Sequence, residues 1–382
     1  MQAYALMVVP SNFPNGDAGA VRDMAFADIF QKLGYKVFLI GAGRQKKDGE
    51  INGVRFFSVY QEAHSKLDHL KRFLGSKNAY MAYINQVIDQ NGLPSVIYIN
   101  DISHSVIGNL RALAEKNNIP ILHDSTEWYS PCEFAHGKFD KQYILKDRLN
   151  RKIIRKPIRV IGISNYMTEY FKSRGLKAVR IPVIMDVENT EIAANTDDKV
   201  KLIYAGSPAN KDYLKEMVLG MASLAPASQQ RFEFHILGAN EEQIKSLTGL
   251  SSLPSCIKAY GRVPREKVEE TMLHMDFSVL LRPSKERYTQ AGFPTKSVEA
   301  MSHGVSMICN ISSDLGMYLK DGENAIIVDG YDEKAFAQSL ERVVSMKRQQ
   351  IDALKHRARE LAEKEFDFRK WVNTVSSLIG EE

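Results

Sequence analysis

The sequence is short of the residues that staple or anchor a chain. It has three cysteines in 382 residues, Cys132, Cys256 and Cys309. They lie far apart and lack metal-ligand spacing, which argues against a disulfide framework and for a reducing compartment. No apolar run approaches the roughly twenty residues needed to span a bilayer. The opening MQAYALMVVP has neither a basic leader nor a small-residue cleavage site. It reads as a first strand, and the protein is expected to be cytoplasmic. Low-complexity tracts and fixed-period repeats are missing. Hydrolase signatures are missing too: no serine sits in a G-x-S-x-G elbow, and there is no H-E-x-x-H. A dehydrogenase would need a glycine fingerprint and an acid ending the second strand, and KVFLIGA ends without one.

What is present is an ordinary globular composition, 44% apolar and 25% charged, on a chain long enough for two domains. Strand-like runs alternate with helical ones from end to end, the pattern of parallel α/β sheets. AYALMVV, KVFLIGA, PSVIYIN, PILHD and RVIGIS form a first series, with helices near 18–33, 67–90 and 105–117. KLIYAG, FEFHILG, CIKAYG, DFSVLL, VSMICN and NAIIVD form a second. Between them DVENTEIAANTDDK, 186–199, is polar and aperiodic, the best linker candidate.

The most informative stretch is FPTKSVEAMSHGVSMICN, 293–310. It reads as a turn, a short helix and a buried strand. Pro294 suits a first helical position because it has no amide hydrogen to lose. Thr295, Lys296 and Ser297 then fall in the first turn, where unpaired amides and the helix dipole favour an anion. Gly304 is placed to end the helix. Glu299, one turn inside an anion-ready helix start, suits ribose hydroxyls beside a diphosphate. After the first strand, PSNFPNGDAGAVRDMAF offers Gly16 and Gly19 for close backbone approach to phosphate, with Arg22 facing the loop. No GKS or GKT follows, so it is not a Walker loop, and a plain glycine turn feeding a helix stays open. In IYAGSPANKDYL, Gly206 supplies a turn and Lys211 stands near a helix start, against the dipole unless an anion is bound. Arg282 ends a strand and could add positive charge. Asn100 and Asp101, and then His123 and Asp124 with Glu127 behind, lie at strand ends where open α/β sheets bind ligands. His123 reads equally as a structural histidine. His104 reads as an ordinary residue near a helix start.

These residues resemble retaining, family-4-type glycosyltransferases of the GT-B fold. That family repeats E-x-F-G-x-x-x-x-E-A-M-A-x-G-x-P-V-I, which Glu299, Ala300, Met301, Gly304, Val305 and Ile308 match. The sequence departs at Ala291, eight positions before Glu299, where the family often has a first glutamate near the donor sugar. IYAGSPANKDYL is similar to the family's Y-x-G-x-…-R-K-G. By that likeness Lys211 pairs with diphosphate, and Asn210 replaces a common arginine. The first glycine loop is similar to P-x-x-G-G, which lies over the donor diphosphate. CIKAYGRVP resembles V-x-F-x-G-x-V and places Arg262 and Val263 against the nucleobase. Asn100 and Asp101 stand where many members carry a sugar-contacting histidine.

The resemblance implies an α/β protein with two Rossmann-like domains facing across a cleft. Residues 1–188 would be the acceptor side and 200–355 the nucleotide-sugar side, with 356–382 a helix returning to the first domain. Phe366, Phe368 and Trp371 read there as core aromatics. The expected reaction is retaining hexosyl transfer from a UDP- or GDP-linked sugar to a saccharide or lipid-linked acceptor. Surface or capsular polysaccharide synthesis is the expected setting. No metal or further cofactor is expected, and Lys211, Asn100, Asp101 and His123 are the catalytic candidates. A non-catalytic nucleotide-sugar or glycan binder on the same fold is the alternative, and a nucleotide-sugar epimerase a third.

Net charge is only +5, yet KFDKQYILKDRLNRKIIRKPIR, 138–159, is dense in lysine and arginine. Tyr143, Ile144, Leu149, Ile153 and Ile154 recur there at roughly helical spacing. A solvated amphipathic helix and an anionic membrane surface both remain open, the second implying peripheral attachment at the inner membrane face. No helix-turn-helix, zinc or aromatic RNA-binding signature accompanies the charge, so no nucleic-acid partner is expected.

Overall fold

The computed structural model describes residues 2–13, 18–43, 48–59, 66–195, 197–206 and 211–380. The chain forms two compact units: Met1–Asp186 together with Phe368–Glu382, and Val187–Asp367. The second unit is thus inserted into the first. The polar stretch expected to link two domains belongs largely to the second unit. Ala193 and Ala194 donate backbone hydrogen bonds to His303 and Leu273, and Val187 is buried.

In the first unit the strands are β1 (Tyr4–Val8), β2 (Lys36–Gly41), β3 (Gly49–Ile51), β4 (Val54–Ser58), β5 (Val96–Ile99), β6 (Ile121–Ser125), β7 (Arg159–Gly162) and β8 (Ala178–Arg180). They form one sheet in the order β3-β4-β2-β1-β5-β6-β7-β8, all pairs parallel except β3 with β4. β1, β5 and β6 are buried along their whole lengths, as strands covered on both faces must be. The hairpin β3–β4 adds two strands to those expected from the sequence. Asn52 and Gly53 both have positive φ, 48° and 75°, the two-residue turn that Asn-Gly favours. Phe368, Trp371, Val375 and Leu378 complete this unit's core.

The second unit holds β9 (Val200–Ala205), β10 (Phe232–Leu237), β11 (Ile257–Gly261), β12 (Phe277–Leu280), β13 (Ser306–Cys309) and β14 (Ala325–Ile327). They form an all-parallel sheet in the order β11-β10-β9-β12-β13-β14. Each half is a Rossmann-like layer of strands covered by helices. In the second sheet, chain order runs outward from β9 to β11 and then returns to β12 on β9's other side. That reversal creates a crevice at the carboxyl ends of β9 and β12, where open α/β sheets take ligands. The equivalent reversal in the first sheet lies between β1 and β5.

The segment expected to be one terminal helix, 356–382, is divided. Helix Arg348–Glu365 and Phe366 belong to the second unit, where Phe366 packs on Phe293 and Tyr318. Phe368, Trp371 and helix Val372–Ile379 belong to the first. All three aromatics are buried.

Candidate functional site

The informative stretch folds as its residues suggest. Helix Thr295–Ser302 begins directly after Pro294, which takes the capping position rather than the first helical one and provides no side-chain cap. Gly304 adopts φ 68° just past the helix end. Its amide bonds the Met301 carbonyl and the Val305 amide bonds Ala300, the paired closure that a left-handed glycine allows. β13 then runs into the sheet beside β12. The helix start therefore stands at the carboxyl edge of β12, beside the loop that leaves β9.

Three expected residues, Arg282, Lys296 and Gly206, meet there around Asp212, which the sequence does not single out. Asp212 accepts from Arg282 Nε at 2.6 Å, Lys296 Nζ at 2.5 Å and the Tyr204 hydroxyl at 3.0 Å. Burial alone would raise its pKa, but Arg282 and Lys296 outweigh it and hold Asp212 at about 2. Lys296 is itself half-buried, which lowers its pKa, and its ammonium lies 4.4 Å from the centre of the Tyr204 ring. Gly206 lets the lysine through: a Cβ there would collide with Nζ and stand 2.8 Å from Cε. Arg282 and Lys296, expected to supply positive charge for a bound anion, each carry Asp212 as a partner. Two cations side by side in a half-buried pocket repel each other, and a shared carboxylate holds them together. Asn310, also passed over, clamps the Arg282 backbone, accepting its amide at 2.9 Å and donating to its carbonyl at 2.7 Å. Lys211 lies beside this cluster in sequence, its ammonium 5.9 Å from the Tyr288 ring centre. Asn210 lies outside the described residues.

Glu299 is half-buried and pairs with Arg265 Nη2 at 3.2 Å. Burial raises its pKa and Arg265 opposes the shift. Arg265 also holds Glu269 at 2.8 Å, so Glu299 is not its sole anchor. Ser297 is fully buried, and among the described residues its hydroxyl has no hydrogen-bond partner. Thr295 is half-buried on the same first turn. Arg262 is exposed and Val263 half-buried just after β11, two strands away from the crevice. Ala291, in the position of the family's first glutamate, is fully buried.

In the first unit, Asn100 and Asp101 follow β5, at that sheet's reversal point. Asp101 pairs with Lys146 and lies 3.5 Å from His123 Nε2. Burial opposes its charge, yet Lys146 and His123 bring its pKa to about 2. His123 is fully buried, and among the described residues neither ring nitrogen makes a hydrogen bond. Asn100 is buried, its side-chain oxygen accepting the Asp101 amide at 2.6 Å. His104 Nε2 lies 3.1 Å from the Leu145 carbonyl, consistent with a structural residue. Gly19 is exposed in the first turn of helix Ala18–Lys32, and Gly16 lies outside the described residues. Arg22, expected to face the glycine loop, is turned into the core. Its guanidinium is buried against Asp124, at 2.7 and 2.8 Å, and also bonds the Ile181 and Pro182 carbonyls. A buried guanidinium needs a carboxylate and acceptors for its remaining hydrogens, and here the fold supplies them. Among the described residues no group of three or more His, Cys, Asp or Glu side chains could hold a metal ion.

Two parallel Rossmann-like units, each with polar side chains gathered at its reversal point, define the GT-B fold. A family model described as glycosyl transferases group 1 matches residues 187–364, which covers nearly the whole of the second unit. Solved structures agree on the fold over nearly the whole chain. Sucrose-phosphate synthase from Thermosynechococcus elongatus superposes with TM-score 0.69 at 13% identity, covering 98% of both chains. Anabaena HepE in complex with UDP and glucose gives 0.67 at 14%, again covering 98% of both. WaaG, a glycosyltransferase involved in lipopolysaccharide biosynthesis, gives 0.68 at 12%, covering 99% of this chain and all of that one. No curated protein sequence matches the chain.

Proposed function

We propose that the protein is a retaining glycosyltransferase that takes a hexosyl group from a UDP- or GDP-linked donor and passes it to a saccharide acceptor. A polysaccharide or lipid-linked acceptor is the version favoured here. The observation that carries the reading is the cluster Arg282–Asp212–Lys296 at the crevice between β9 and β12, beside an uncapped helix start with a buried, unpartnered Ser297 hydroxyl. Cations beside a helix start that has no side-chain cap suit a diphosphate. A half-buried Glu299 one turn on suits the ribose. That a protein of the same fold, Anabaena HepE, has been solved in complex with UDP and glucose supports the donor class. In the first unit Asn100, Asp101 and His123 are the proposed acceptor-side groups.

In this reading the carbon–oxygen bond to the leaving diphosphate breaks as the acceptor oxygen bonds the same face of the anomeric carbon. The acceptor proton passes to the departing phosphate oxygen, so no protein base is required. The chain's contribution is to hold and neutralise the phosphate as its charge grows. Lys211→Ala is then expected to lower kcat more than it raises the donor KM, the signature of an interaction strongest in the transition state. Steady-state kinetics that show KM alone changing would remove Lys211 from this role.

Glu299→Ala is expected to weaken nucleotide binding at least about tenfold, since hydrogen bonds to a carboxylate are worth about 1.5–3 kcal/mol each. The fold should survive, because Arg265 keeps Glu269. Calorimetric titration with UDP and GDP checks both points, and unchanged affinity would refute the ribose assignment.

The competing reading, a nucleotide-sugar binder without turnover, is favoured by one observation: the position of the family's first acid is a buried alanine. A thermal-shift screen of nucleotide sugars identifies the donor, because a ligand at a hundredfold its Kd adds about 2.7 kcal/mol to the folded state. Radiolabelled transfer or slow donor hydrolysis with that ligand then separates enzyme from binder. Conversion of the sugar with no acceptor present would indicate an epimerase.

A further inference from the structure

From Lys138 to Lys156 the chain carries eight lysines and arginines against two aspartates. The structure divides this run by face. Helix Lys141–Arg148 continues into a π-helical turn, Leu149–Ile153, closed by the Ile154 amide on the Leu149 carbonyl. Lys146, Leu149, Asn150 and Ile154 point inward and are buried, Lys146 reaching Asp101. Leu149 and Ile154 are therefore core residues and unavailable for any outer contact. The opposite face bears Tyr143, Ile144, Asp147, Arg148, Arg151 and Lys152, which line a shallow groove of about 490 Å³. Asp147 is already bonded to Arg151 at 2.8 Å and to the Trp128 indole at 3.0 Å, which leaves the groove net cationic. Lys138, Lys141, Arg155 and Lys156 are exposed on its flanks. Beside these charges two large apolar side chains stand in solvent, Phe139 at 76% and Ile144 at 47% exposure.

We propose that this face docks on an anionic lipid leaflet, the groove receiving a phosphodiester headgroup while Phe139 and Ile144 enter the acyl boundary. The pairing of features selects the partner. A soluble phosphate or a nucleic-acid backbone would use the cations but leave Phe139 and Ile144 in water. A neutral apolar partner would leave the cations without counter-charge. A leaflet of acidic phospholipid satisfies both, with charge at the headgroups and hydrocarbon a few ångströms deeper. Phe139 carries its own adjacent cation, Lys138, whose ammonium lies 5.4 Å from the ring centre. A cation at headgroup level above a ring at the acyl boundary matches the leaflet's own layering. The inference uses only the first unit and does not depend on the reading of the second.

Co-sedimentation of the full chain with vesicles tests it. Binding is expected to phosphatidylcholine vesicles containing phosphatidylglycerol, and not to phosphatidylcholine alone, and should fade as salt screens the charges. Replacing Arg148, Arg151, Lys152 and Arg155 together by glutamine should weaken binding by more than about a hundredfold, given the gain per basic residue near an anionic surface. Phe139→Ser with Ile144→Ser should also weaken vesicle binding, while its affinity for free glycerol phosphate should equal the parent's. Melting temperatures of both variants, expected near that of the parent, show that each remains folded. Equal sedimentation with both vesicle types, or none at low salt, overturns the proposal. So does a Phe139/Ile144 variant that binds vesicles as the parent does, because anion binding alone would then account for the face.

Discussion

Arg22→Ala is expected to destabilise the first unit by about 4 kcal/mol, because removing one member of a buried ion pair leaves the other charged and desolvated. Among the described residues Asp124 would keep only the Tyr98 hydroxyl, at 2.9 Å, and the Ile181 and Pro182 carbonyls would lose a donor. The measurement is convenient because both tryptophans, Trp128 and Trp371, lie in the first unit. Urea unfolding followed by tryptophan fluorescence therefore reports that unit alone, and its midpoint should fall sharply. Arg22→Met combined with Asp124→Leu should recover much of the loss, since an apolar pair of similar volume can replace a buried salt bridge. A double variant no more stable than Arg22→Ala would show that the bonds to the two carbonyls, and not the pair, carry the effect.

Asp212→Asn should cost the second unit about 3 kcal/mol near neutral pH, toward the low end for a buried pair because Arg282 and Lys296 are partly exposed. Its acid response follows from the same geometry. Asp212 titrates at about 2 in the folded chain against 3.8 for a free aspartate, so the folded state favours the ionised form. That contribution is complete above the unfolded pKa and is lost as pH falls from about 5 towards 2. Asp101, also at about 2, does the same for the first unit. Asp212→Asn should therefore flatten the acid limb of the second unit's stability while leaving the tryptophan-reported transition unchanged. Hydrogen exchange resolved by segment across pH 2–6 would show it. A variant with the parent's full acid limb in residues 187–367 would refute the role assigned to Asp212.

The alternation of strands and helices was legible because each central strand is an apolar run bounded by turn residues. All eleven strands read from sequence are present with ends shifted by one or two residues. Of the three that escaped, β3 and β8 have only three residues each, and five-residue β4 follows the Asn52–Gly53 turn, a hairpin signal in two letters. The helix start at Thr295 and the stop at Gly304 depend on local backbone chemistry, and so could be read from a few neighbouring letters. Arg22 was misjudged for the opposite reason. Its partner Asp124 is 102 residues away, and nothing near Arg22 in the chain announces a buried carboxylate. Asp212 escaped likewise. A lone aspartate after Lys211 gives no hint that Arg282 and Lys296, 70 and 84 residues on, will converge upon it. Charged residues are the ones whose meaning is set by distant partners, and the candidate site is built mostly of them.

The insertion of one unit within the other sets an order of events during synthesis. Val187–Asp367 is continuous, so it can close its own core as soon as it has left the ribosome. The first unit cannot. Its core includes Trp371, Val375 and Leu378, and Arg159 anchors on the carbonyls of Leu378 and Ile379, both at 2.6 Å. Although it is begun first, it must wait for the residues that follow the insert. A nascent chain stalled before Phe368 would hold a finished insert inside an unfinished host, with the apolar surface meant for Trp371 and Leu378 still open to chaperones.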